Sequence, residues 1–67
     1  MKIALLPNLT RKNALQVSLD VCQELEKHNM SYCIKRDYID KFKGTKAEFI
    51  TVDEMIRTCD IVIAVGG

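Results

Sequence analysis

The residues best placed to take part in chemistry are the last two of the sequence, Gly66 and Gly67. They follow the apolar run Ile61–Val65, and such a run, rich in β-branched residues, predicts a strand buried on both faces of a parallel sheet. In open sheets of this kind, ligands bind just beyond the carboxyl ends of the strands. Because glycine has no Cβ, the pair allows the backbone to approach a ligand closely, although many strands that bind nothing also end in two glycines.

A second candidate is the polar loop of residues 8–13, which follows another apolar run near the start of the chain. The loop contains Arg11 and Lys12 and precedes a predicted helix, whose N-terminus favours anions. A phosphate group is therefore one expected ligand of this loop. The alternative is that both side chains are ordinary solvated charges.

The cysteines and the histidine indicate no catalytic or metal site. Cys22, Cys33 and Cys59 form no C-x-x-C pair, and together with His28 their spacing matches no common zinc pattern. We expect three reduced and mostly buried thiols, which suits the cytoplasm. His28 has no acid or nucleophile near it in sequence and is expected to lie at a helix end.

Two nucleotide-binding fingerprints are missing. The turn after the first strand has no glycine, so it lacks the G-x-G-x-x-G of dinucleotide-binding proteins, and no Walker A loop is present. Asp37 follows the second strand, where such proteins place a ribose-binding acid, but an acid there is common by chance. The sequence therefore argues against a standard dinucleotide-binding dehydrogenase.

Length, composition and charge exclude several classes of protein. The 67 residues allow one small domain, and an apolar fraction of 48% is typical of a folded chain. A net charge of +1, with acids and bases interspersed, argues against nucleic acid and against a polybasic membrane surface. No apolar run approaches the roughly 20 residues that span a bilayer.

The hydrophobic pattern predicts three strands. Residues 2–6 form a first buried strand that ends before Pro7, because proline cannot donate to a ladder. Residues 30–35 form a more polar strand, expected at an edge, and Asp60 begins the last one. Residues 37–46 are a polar connection in which a short helical turn is expected to cover the sheet, and residues 49–50 form at most a brief extended segment.

Two helices separate these strands. The first is predicted over residues 14–28, with Asn13 capping its first turn and Asn29 as a left-handed stop. The second begins at a capping box formed by Thr51 and Glu54. Its apolar residues repeat at positions 52, 55, 56 and 59, as in an amphipathic helix.

The order strand, helix, strand, helix, strand predicts an α/β fold with parallel strands and right-handed crossovers. We expect a three-stranded parallel sheet in the order 2-1-3, with the first strand in the middle. Residues 1–67 would form a single partial α/β domain, the first part of a larger protein.

Both ends of the sequence resemble the NAD kinase family. The segment from Cys59 to Gly67 is similar to the strand that leads into the G-G-D-G-T motif of these enzymes, and only the two glycines of that motif lie in the chain. The opening, Lys2 to Asn8 followed by Lys12 and Ala14, is similar to the start of the family. The resemblance covers the whole chain, although residues 41–48 carry no recognisable signature.

The resemblance implies transfer of the γ-phosphoryl group of ATP to the 2′-hydroxyl of the adenosine ribose of NAD, giving NADP with the help of Mg²⁺. Gly66, Gly67, Asn8 and Lys12 would be nucleotide-binding residues. The general base of the motif, an aspartate, would follow Gly67, so the chain itself contains no catalytic residue or metal ligand. Members of the family form dimers or tetramers, and self-association through the apolar last strand is expected here.

Two alternatives remain open. Lipid kinases of the diacylglycerol type and sugar kinases share the G-G-D-G motif, but the lipid kinases usually open with Asn-Pro and a glycine, whereas this chain has Pro7-Asn8 and no glycine. A non-catalytic regulatory module of flavodoxin-like build is the second alternative. It would place acids at the end of the first strand, and none is found there.

Overall fold

The fold is built on one parallel sheet of four strands. In the computed structural model, which describes residues 1–66, these strands are β1 (Lys2–Pro7), β2 (Ser31–Lys35), β3 (Glu48–Ile50) and β4 (Ile61–Val65). Their order is β3-β2-β1-β4, and every neighbouring pair is parallel. Ala4 of β1 lies opposite Cys33 on one side and opposite Val62 on the other. The prediction that the first strand is central is confirmed.

The predicted number of strands was wrong. The sheet has four strands in the order 3-2-1-4, not three in the order 2-1-3, because Glu48–Ile50 pairs with β2. This pairing also makes β2 an interior strand, where an edge strand was expected. Three residues carry too little periodicity to identify a strand, and β3 is defined by its register, with Ile50 opposite Lys35.

The two helices lie on opposite faces of the sheet. Helix α1 (Ala14–Lys27) packs on one face together with Phe42, which follows a 3₁₀ helix, Arg36–Lys41. Helix α2 (Val52–Thr58) packs on the other, where Met55 joins a small core with Ala4 and Cys33. The expected helical turn over the sheet is thus present, and Phe42 beside it is fully buried.

The buried stripe of α1 consists of small residues. Ala14, Ser18 and Cys22 follow one another at intervals of four and are buried, with Leu25 completing the stripe near the end. Ser18 was not expected in the core, since a serine reads as polar. Its hydroxyl is fully buried and makes no hydrogen bond with the described residues.

The ends of the helices test the capping predictions. The capping box of α2 is confirmed: Thr51 Oγ1 accepts from the Glu54 N–H, and a Glu54 carboxylate oxygen accepts from the Thr51 N–H, each at 3.2 Å. Asn29 is confirmed as a left-handed stop, with φ of 56°. Asn13 does not cap α1 with its side chain, because its φ of 66° departs from the extended backbone that an N-cap side chain needs.

Strand β4 is less buried than predicted. Val65 is buried, but Val62 is 59% exposed and Ala64 is also exposed. The register places Val62 beside Ala4 on the α2 face, and α2 covers only the part of that face around Cys33. The prediction of a strand buried on both faces was therefore wrong, because β4 is an edge strand whose α2 face is uncovered.

A group of hydrogen bonds links α1 to the sheet near the start of β2. The Tyr32 hydroxyl donates to the Glu26 carboxylate, which also accepts from the Lys46 N–H at 2.9 Å. These bonds, that of Tyr32 first, lower the pKa of Glu26. The pKa of Tyr32 is raised, first by burial and then by the same bond to Glu26. Burial is also the main reason that the pKa of Cys33 rises to about 12.

We expect the protein to lose stability as pH rises above about 9. The unfolded chain releases the cysteine proton near 9.0 and the tyrosine proton near 10.0, whereas the folded chain keeps both on Cys33 and Tyr32. The folded state then binds more protons, so the free energy of unfolding falls with pH in this range. Urea unfolding followed by circular dichroism, at about pH 7, 9 and 10.5, measures the slope.

The variant Tyr32→Phe separates the tyrosine contribution from that of the cysteines, since burial raises the pKa of Cys22 as well. It lacks the tyrosine proton and should show a shallower decline of stability with pH. A wild-type free energy of unfolding that stays constant across the three pH values would contradict the prediction.

Candidate functional site

The candidate site is the edge of the sheet beyond the carboxyl ends of β1 and β4, a region called the crevice below. These strands are neighbours, but the chain leaves β1 towards β2 and β3 and returns on the other side to form β4. Such a reversal of strand order is the topological switch point, where open parallel sheets bind ligands. The register aligns the two strand ends, with Pro7 opposite Val65. The residues that follow them, Asn8 and Gly66, therefore lie side by side at this edge.

Asn8 shapes the loop on the β1 side. Its N–H donates to the Val65 carbonyl at 2.8 Å, which extends the pairing of β1 with β4 by one step. Its side-chain oxygen accepts from the Thr10 hydroxyl at 2.7 Å and its carbonyl accepts from the Arg11 N–H at 3.0 Å. Asn8 thus folds the loop into a tight turn over the strand end.

Gly66 packs directly against this turn. Its φ is 83°, in the left-handed region that favours glycine. A Cβ at this position would lie 3.3 Å from each of three atoms, the Asn8 carbonyl oxygen and the Cβ atoms of Arg11 and Ala14. The position therefore needs glycine both for its backbone angle and for space. Gly67, the other predicted glycine, lies outside the described residues.

The charge at the crevice is positive. Arg11 and Lys12 are exposed in the turn before α1, and neither forms an ion pair with another residue of the described part of the chain. Of the two, both of which were candidates for a phosphate, Arg11 is the one whose Cβ lies next to the Gly66 position, whereas the family resemblance implied Lys12. The structure thus brings Asn8 and Gly66 together with Arg11 and Ala14, and Lys12 is exposed in the same turn.

The described groups around the crevice are of the kind that bind an anion. Backbone amides at the α1 N-terminus, two cations and a glycine suit an anion that the backbone can approach closely. Within residues 1–66, no cluster of three histidine, cysteine or acidic side chains is arranged to hold a metal ion.

Comparison with known proteins gave no match to a protein-family model, to a curated protein or to a solved structure. The described helices are also too short and too polar to cross a membrane. The fold and the crevice define an α/β protein with a parallel sheet and helices on both faces.

Replacing Gly66 with alanine should loosen the crevice locally. The new Cβ would meet the Asn8 carbonyl at 3.3 Å in a backbone conformation that alanine avoids. We expect the Asn8 amide, which donates to Val65, to exchange its hydrogen roughly tenfold faster relative to amides in the centre of β1, the equivalent of about 1.4 kcal/mol. Hydrogen exchange followed by NMR measures this ratio.

The matched control is Gly44→Ala. Gly44 has a similar φ of 86°, but a Cβ there meets nothing within 4 Å. This variant should carry a similar backbone strain without changing the relative exchange rate at Asn8. Equal effects of the two substitutions at Asn8 would show that crowding at Gly66 is unimportant.

Proposed function

We propose that this chain is the N-terminal part of an NAD kinase, which phosphorylates the 2′-hydroxyl of the adenosine ribose of NAD with ATP. The observation that carries the proposal is the contact of Gly66 with the Asn8 turn at the switch point of the sheet. The two segments that resemble the family are distant in sequence, yet they meet at the edge where an open parallel sheet binds its ligand.

The proposal gives each residue a role in binding. Gly66, with Gly67 after it, lets the backbone come close to the nucleotide, and Asn8 holds the opposite wall in a fixed turn. Arg11 and Lys12 offer positive charge to phosphate oxygens. When bound, ATP supplies the phosphoryl group and Mg²⁺ neutralises phosphate charge, so positioning is the main task of the protein.

The catalytic carboxylate is not one of the 67 residues in this proposal. The aspartate of the motif would be the residue after Gly67, so the isolated chain would be inactive while the parent enzyme, placed in the cytoplasm, makes NADP. No ligand of Mg²⁺ is assigned to residues 1–66, in which no metal-binding cluster is found.

Strand order bears on the flavodoxin-like alternative. Flavodoxin-like modules have the order 2-1-3-4-5, whereas the order here, 3-2-1-4, is that of the first four strands in the other common doubly wound arrangement. This difference argues against a regulatory module of that build. A lipid or sugar kinase that shares the G-G-D-G motif remains the alternative. It differs in the molecule that accepts the phosphoryl group.

The acceptor decides between these kinases. We expect Asp-Gly-Thr directly after Gly67 in the gene, and we expect the full-length product to convert NAD to NADP with ATP and Mg²⁺ but to leave diacylglycerol unchanged. The isolated 67 residues should form no NADP. In the full-length enzyme, Lys12→Ala should raise KM for at least one nucleotide roughly fivefold, because a charge-assisted contact to phosphate contributes about 1 kcal/mol.

The matched control for Lys12 is Lys46→Ala. Lys46 lies at the other end of α1, where its N–H donates to Glu26, so its removal should leave both KM values unchanged. Phosphorylation of the lipid or of a sugar without NADP formation would replace the proposal with the alternative. NADP formation by the isolated 67 residues would overturn the assignment of the base to a residue after Gly67.

Self-association through β4 is part of the same proposal. β4 is an edge strand with Val62 exposed, and an apolar edge of this kind pairs readily with another chain. We expect a dimer in sedimentation experiments that Val62→Lys dissociates, because it places a charge on this surface. Ile39→Lys, at an exposed position on the 3₁₀ helix, should leave the dimer intact. A monomer at every concentration would contradict self-association.

A further inference from the structure

Two cysteines that are distant in sequence lie side by side on the α2 face of the sheet. The Sγ atoms of Cys33 and Cys59 are 2.9 Å apart. Cys33 belongs to the interior strand β2 and is fully buried, and Cys59 follows α2 directly, two residues before β4. The third cysteine, Cys22, lies in the core on the opposite face and is separated from this pair by the sheet.

One of the two thiols is accessible. Cys59 is half-buried and lines an open apolar groove of about 160 Å³, together with Leu6, Ile56 and Val62. A water molecule occupies about 30 Å³, so the groove admits a small neutral oxidant such as hydrogen peroxide. Cys33 is fully buried, with its Sγ next to that of Cys59. The order of reaction follows from this arrangement, with Cys59 first.

We propose that Cys33 and Cys59 are a redox modification site that forms a reversible disulfide when a hydroperoxide oxidises Cys59. The Cys59 thiolate attacks one peroxide oxygen, the O–O bond breaks, and the departing hydroxide takes up a proton to become water, which leaves a sulfenic acid. The sulfur of Cys33 then attacks the sulfur of Cys59. The S–S bond forms as the S–O bond breaks, and the released hydroxide leaves as a second water with the Cys33 proton. The two thiols lose two electrons and the peroxide gains them.

The protonation state of Cys33 agrees with this order. Burial first, and then the hydrogen bond with Cys59, raise the pKa of Cys33 to about 12, so this residue is a thiol at neutral pH. A thiol reacts poorly with peroxide, because the thiolate is the nucleophile. Cys33 therefore acts second, at a sulfur that is already adjacent.

The disulfide would join β2 to the segment between α2 and β4. Sulfur atoms 2.9 Å apart have to approach by about 1 Å to reach bonding distance, which side-chain rotation supplies. The bond would close the part of the chain that contains β3 and α2. Oxidation would therefore fix α2 on the sheet and the position of β4 relative to it. The site does not depend on the proposed kinase activity.

Peroxide treatment of the purified chain tests the proposal. After oxidation, free thiols are alkylated, and trypsin cuts after Lys27, Lys35 and Arg57. We expect mass spectrometry to find the peptide of residues 28–35 linked to that of residues 58–67, with a mass lower by two hydrogen atoms and restored by dithiothreitol. The peptide containing Cys22 should be alkylated. The oxidised chain should melt roughly 10 °C higher than the reduced chain.

Three variants define the roles of the thiols. Cys22→Ser, the matched control, should form the cross-link as the wild type does. Cys33→Ser should stop at a Cys59 sulfenic acid that dimedone traps, and Cys59→Ser should leave Cys33 unmodified at the same peroxide dose. The wild-type digest tests the cross-link even if a variant fails to fold. Cross-links that involve Cys22, links only between chains, or a Cys59 sulfenic acid in the wild type without a link to Cys33 would overturn the proposal.

Discussion

The pairing of β1 with two neighbours is the constraint on which the rest of the structure depends. β1 is parallel to β2 on one side and to β4 on the other, and Ile3, Ala4 and Leu5 in its centre are almost completely buried. Its alternate side chains supply both cores, with Ile3 and Leu5 on the α1 face and Ala4 on the α2 face. The crevice and the cysteine pair are set by the same register, because each joins segments that meet only through β1 and its neighbours.

Local signals were readable from the sequence, and long-range ones were not. The Thr51 capping box and the left-handed Asn29 depend on a few adjacent residues, so composition and spacing predict them. Strand β3 exists because β2 offers it a partner, and the exposure of β4 follows from how little of the sheet α2 covers. Burial of Ser18 is of the same kind, since it depends on how α1 is oriented over the sheet.

The candidate site was predictable in its position but not in its contacts. Parallel strands that end at one edge bring the residues after them together, and the expected order 2-1-3 already placed the first strand beside the last. The contact of Arg11 with the Gly66 position, in place of Lys12, is decided by the turn that Asn8 forms. The adjacency of Cys33 and Cys59 gave no sequence signal, because a spacing of this length is typical of unrelated thiols.

The small residues of α1 also set the dimensions of the crevice. The buried side chains Ala14, Ser18 and Cys22 are small, which allows α1 to pack closely against the strands. The turn on the β1 side is joined to this helix at Ala14, whose N–H donates to the Arg11 carbonyl at 3.2 Å. A bulkier side chain anywhere along the buried stripe of α1 would raise the helix and carry the turn away from Gly66. The width of the crevice therefore depends on side-chain volume up to about two turns away, at Cys22.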